Sequence, residues 1–156
     1  LNQNLVRESQ IAVDVDAGYD MIQRGRHSIF VLDATPSEGK TVADLEAAIL
    51  QEIEKIKTTG VTEEELLRVK AQVIAADVYQ RDSMFYQAMQ IGQLETAGFS
   101  WRLLQDYPAK LQAVTAAQVQ AVAQKYFNQD NMTVATLDPQ PIDPNDNAPK
   151  GKPHVH

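Results

Sequence analysis

The sequence predicts an α+β domain, with an antiparallel or mixed sheet covered by several helices. Three observations carry that assignment. Residues 11–17, "IAVDVDA", alternate apolar and polar with period two, as a strand with one buried face does. "SIFVLDA" at 28–34 is a nearly continuous apolar run, as expected for an interior strand covered on both sides. From Val42 onward apolar residues recur at spacings of three and four, which is the stripe of an amphipathic helix. Strands first, then a block of helices, then a short closing strand suit a layered α+β arrangement better than a doubly wound parallel sheet.

The elements follow in order. "LNQNLVRESQ" reads as the end of a helix that hands over directly to the first strand, in which Ile11, Val13 and Val15 share one face. "GYDMIQRGRH" connects the strands and "TPSEGK" turns the chain. A helix then carries Val42, Leu45, Ile49, Ile53 and Ile56 on one stripe. Thr41 and Asp44 form a capping pair at its start, and Gly60 sits past its end. Thr62 and Glu65 open the next helix, where Val61 can staple against Leu66 and Glu63, Glu64 and Glu65 suit the positive end of the helix dipole. That helix could run to about Ala97. Its length predicts a bend, near Asp82-Ser83 or at Gly92, before Gly98 closes it. Short helices are expected at 101–105 and 108–114, a further one after the Thr115–Gln118 capping pair, and a strand at 132–137. Ile49, Ile53, Val73 and Ile74 are expected between helices and sheet. Residues 139–156 hold five of the seven prolines and read as a flexible tail behind a domain spanning 1–138.

Composition narrows the function. The chain has 156 residues, enough for one core, and 14 basic against 21 acidic residues give a formal charge of −7. That charge argues against a nucleic-acid or anionic-membrane partner. Without cysteine there is no disulfide, thiolate nucleophile or cysteine-ligated metal. No apolar run approaches the roughly 18 residues of a membrane span.

Local motifs supply no complete active site. His27 stands alone, and His154-x-His156 lies in the tail without further rigid ligands. Glu52 and Glu54 suit a solvated helix face, while Ser9, Ser28, Ser37, Ser83 and Ser100 lack any nucleophile context. The glycines form no phosphate-binding loop. Tyr79, Met84, Phe85, Tyr86 and Met89 read as helix packing rather than a cofactor site.

Four segments in sequence, "ATPSEGKTVADLEAAILQEIEKIKTTGVTEEELLRVK", "VYQRDSMFYQAMQIGQLETAG", "DYPAKLQAVTAAQVQAVAQKYF" and "DNMTVATLDPQP", resemble the second, non-catalytic half of an insulinase/pitrilysin-type zinc metallopeptidase. The resemblance runs from Leu1 to about Asp138. It implies two similar α+β halves that close around a peptide. One of them bears H-x-x-E-H, whose histidines bind zinc and whose glutamate is the general base. That motif does not occur here. The resemblance therefore implies no catalytic, cofactor-binding or metal residue in this chain, zinc in an N-terminal catalytic half of the same polypeptide, and first domain elements lying upstream.

It also implies what the opening should hold. Second halves that assist catalysis place an Arg and, seven residues on, a Tyr at the helix-to-strand junction. "LVRESQIAV" puts Val6 and Val13 at those positions. Arg7 is adjacent, but one residue on a helix turns a side chain by about 100°, so the role does not pass to it. A homologous partner subunit would then supply the pair. The expected function is a substrate-enclosing, structural domain of an exported or periplasmic zinc endopeptidase acting on peptides, with no nucleic-acid or membrane partner. The alternative is a purely structural or assembly domain of the same fold, like the peptidase-derived core subunits of respiratory complexes. The strand alternation leaves open whether Val13 faces the substrate chamber or the core.

Overall fold

A computed structural model describes residues 1–19 and 28–139. His27, His154, His156, most of the connection between the strands and nearly all of the proline-rich tail lie outside the described residues. The chain opens with a π-helix, Asn2–Glu8. It continues into β1 (Ala12–Tyr19) and β2 (Phe30–Pro36), which pair antiparallel as a two-stranded sheet. Five α-helices follow among the described residues: α1 (Val42–Thr59), α2 (Glu63–Gln80), α3 (Met84–Thr96), α4 (Leu103–Gln112) and α5 (Ala116–Tyr126). None is long and apolar enough to cross a membrane.

Register explains the two faces of the sheet. Ala12 pairs with Pro36, Val15 with Ala34 and Ala17 with Leu32, which puts the buried side of β1 opposite the half-buried side of β2. The other face carries Asp14 opposite Thr35 and Asp16 opposite Asp33. Two like charges facing each other are tolerable only where water screens them, so this face is open to solvent. The expectation that 28–34 is covered on both sides is therefore wrong: Val31, on that open face with Asp33 and Thr35, is 48% exposed. Among the described residues, α1 packs against β2 and the Phe127 ring lies against Phe30, while Val31, Asp33 and Thr35 stay exposed.

The core sits where the π-helix, β1 and α1 meet. Leu5, Ala12, Val15 and Leu45 are buried together, with Ala34, Ala48 and Ile49 packed at the margin. On α1, Leu45 is the buried member of the stripe, and Ile49, Ile53 and Ile56 are half-buried. Val73 and Ile74 are also half-buried, but they belong to α2, which packs against α4. Of the four residues expected between helices and sheet, Ile49 packs against the core, Ile53 is half-buried on the same helix, and the α2 pair belongs to a helix whose main packing is on α4.

Polar side chains connect the layers. Asn4 donates to Glu52 at 2.7 Å, fixing the π-helix to α1. Burial pushes the Glu52 carboxyl up, but hydrogen bonds from Lys55 and Asn4 outweigh it and hold the group below its ordinary range. α5 closes the end of α1: Gln124 donates to the Lys57 carbonyl at 2.7 Å, and Gln120 to those of Lys57 and Thr58 at 3.1 Å. These are carbonyls that a helix end leaves without a partner. Lys70 of α2 caps α4 in the same way through the carbonyls of Gln112 and Val114.

The helix boundaries follow the signals in the sequence. Thr41, Thr62 and Thr115 each form a reciprocal capping box, with Asp44, Glu65 and Gln118. Gly60 ends α1 at φ 79°, a backbone region costly for other residues. The long helix breaks at 81–83, where Ser83 caps α3. Two expectations fail. A single α4 replaces the two short helices, and it runs through Pro108. Proline has no N–H for the Leu104 carbonyl four residues back, and the Arg81 guanidinium approaches that oxygen at 3.4 Å. Residues 132–137 join no ladder, because the described sheet ends with β1 and β2 and offers them no partner. Packing expected of five residues beside the α2–α3 break is met only in part: Tyr79, Met84 and Phe85 are 77%, 85% and 78% exposed, whereas Tyr86 and Met89 are half-buried.

Leu45→Ala is expected to cost about 2–5 kcal/mol in chemical denaturation and Ile53→Ala about half as much. The reverse order would put the wrong side of α1 against the sheet. A pH dependence follows from the caps. The Thr41 hydroxyl and then its backbone N–H lower the Asp44 pKa, and the Thr62 backbone N–H and then its hydroxyl lower that of Glu65. Because both are depressed in the folded state, their contribution is complete at neutral pH and is lost as pH falls below about 4. Asp44→Asn and Glu65→Gln should flatten the acid limb of stability against pH, and an unchanged limb would show that the caps do not matter.

Candidate functional site

The junction between the π-helix and β1 concentrates three departures from regular structure. The first is the helix itself. Its end is closed by Ser9 N–H donating to the Asn4 carbonyl at 2.9 Å, five residues back. π-turns are rare and are frequently found at functional sites.

The second is the way that helix ends. Ile11 N–H donates to the Leu5 carbonyl at 2.9 Å, which requires Gln10 between them to take a left-handed backbone at φ 51°. A related closure, one residue shorter, ends α3, where Phe99 N–H donates to the Leu94 carbonyl five residues back at 2.8 Å. There the left-handed position is filled by Gly98, at φ 80°. Glycine has no Cβ to clash, so glutamine at the equivalent place is strained by about 1–2 kcal/mol.

The third is a β-bulge. The register shifts between Ala12 and Asp14, leaving Val13 as the extra residue. A bulge reverses the parity of side chains beyond it. Ala12 and Val15 are buried, whereas Val13 is 61% exposed. Period-two alternation had grouped Val13 with Val15, and the bulge is the reason that it does not hold. Val13 is not a core residue.

The three irregularities open onto one place. Val6, Ser9 and Gln10 from the helix end and Ala12 and Val13 from β1 line an open concavity of about 610 Å³. Ser37, Glu38 and Lys40 from the β2–α1 turn complete it. Ser37 N–H donates to the Ile11 carbonyl at 3.0 Å and ties that turn to the junction, and Gly39 at φ 77° gives the turn its bend. Val6 is half-buried and also packs against the core, while Arg7 is exposed. The structure thus brings together Val6 and Val13, the two residues singled out in the sequence. Sequence reasoning set Ser37 aside for lack of a nucleophile context and missed Gln10 and Lys40. The strain at Gln10 has no sequence signature, and the turn residues are near only because the chain folds back.

Nothing here fits zinc. Among the described residues no three His, Cys, Asp or Glu side chains converge, and the chain has no H-x-x-E-H. The lining of the concavity includes one carboxylate, Glu38, and one ammonium, Lys40. It can hold a ligand by apolar contact and hydrogen bonds, and it holds no acid–base pair.

Comparisons with known proteins agree with this architecture. Residues 1–73 match the family model described as the peptidase M16 inactive domain. No curated protein sequence matches the chain. Among solved structures, a protease from Helicobacter pylori superposes with a TM-score of 0.76 at 20% identity over 83% of this chain. The chain spans 30% of that protein's length. The inactive peptidase domain of a protein assigned as a zinc protease, from Bordetella parapertussis, gives 0.71 at 17% identity, covering 85% of this chain and 72% of that one. A Bordetella pertussis protein assigned likewise gives 0.73 at 16% identity, with 85% and 71% covered. The fold is that of these domains.

Strain at Gln10 is measurable. Gln10→Gly is expected to raise stability by up to about 1 kcal/mol, and Gln10→Val to lower it by about 1 kcal/mol or more. Equal stabilities for the three would mean that the left-handed turn is not formed in solution.

Proposed function

We propose that this chain, which has the fold of the inactive peptidase domains and matches their family model over its first 73 residues, is the substrate-enclosing, non-catalytic domain of a zinc metallopeptidase acting on peptides. In this reading zinc belongs to an N-terminal catalytic half of the same polypeptide, and cleavage takes place where that half faces this one. A homologous partner subunit supplies the Arg and Tyr for which Val6 and Val13 stand. The setting is periplasmic or otherwise exported.

The observation that carries the reading is the shared exposure of Val6 and Val13 to one concavity. These two residues, seven apart, one on a helix and one on a strand, line the same space. They do so because the π-turned end and the bulge aim both at the same space. An Arg and a Tyr placed there would present a guanidinium and a phenol to a bound peptide, as preorganised donors at developing charge. Two valines present neither. They leave a wall that can enclose substrate and add nothing to the chemistry. The alternative, an assembly domain with no peptidase role, predicts that this surface is indifferent to substitution.

Val6→Arg with Val13→Tyr in the intact parent protein tests the reading. Peptide cleavage without the partner subunit is expected to rise above the wild-type background. Val13→Tyr alone, at an exposed position that tolerates the ring, is expected to lower KM in the assembled enzyme. A folded double variant with background cleavage, together with an unchanged KM for Val13→Tyr, would favour the assembly domain.

A further inference from the structure

We draw no further inference here: the strongest candidate, the apolar surface patch that Val78, Tyr79, Met84 and Phe85 expose around the α2–α3 break, carries nothing because no feature of the described residues shows what covers it.

Discussion

Burial of Leu45 against Leu5, Ala12 and Val15 is the contact on which the rest of this structure depends. It is where the π-helix, the sheet and α1 become one body, and few other side chains in the described residues are as fully buried. A core this small cannot hold five helices by apolar area alone. Polar closures therefore take a large share: Asn4 on Glu52, the two glutamines of α5 on the end of α1, and Lys70 on the end of α4. Each satisfies a group that a helix end or a side chain would otherwise leave to water. Each links elements far apart in sequence.

What the sequence revealed were the local rules with a fixed period or a fixed partner. The three capping boxes were legible because Thr41–Asp44, Thr62–Glu65 and Thr115–Gln118 are three-residue patterns whose physics is contained in the pattern. Gly60 and Gly98 were legible as helix ends for the same reason. The break at 81–83 was foreseen from length. What failed had no local cause. Pro108 was read as a boundary between two short helices, yet its missing N–H orphans one carbonyl that Arg81, from another helix, can approach. The apolar run at 28–34 was read as doubly covered, because composition cannot say how many layers a fold has. Residues 132–137 have strand-like composition, but a ladder needs a partner, and the sequence of a strand does not guarantee one.

The candidate site shows the same division. Resemblance singled out Val6 and Val13, and the structure places both on one concavity. The bulge that exposes Val13 is invisible to alternation, since inserting one residue into a period-two pattern moves every later side chain to the other face. Before the bulge is known, Ile11, Val13 and Val15 look equivalent. Afterwards one is half-buried, one is out and one is in.

The position of that bulge is what ties fold to function. β1 must deliver Val15 to Leu45 to close the core, and it must start from a helix end whose last turn is wound wide. These two demands fix both ends of a short stretch, and the residue count between them is one too many for a regular strand. Val13 absorbs the excess. Once it is outside the ladder it is free of the sheet's requirements, and the left-handed turn at Gln10 faces the same way. Core packing therefore accounts for the existence of the irregular stretch, but not for what lines it. A glycine at residue 10 and a polar residue at 13 would satisfy the fold better at those places. That the chain carries glutamine and valine instead is the part of the junction that stability does not explain.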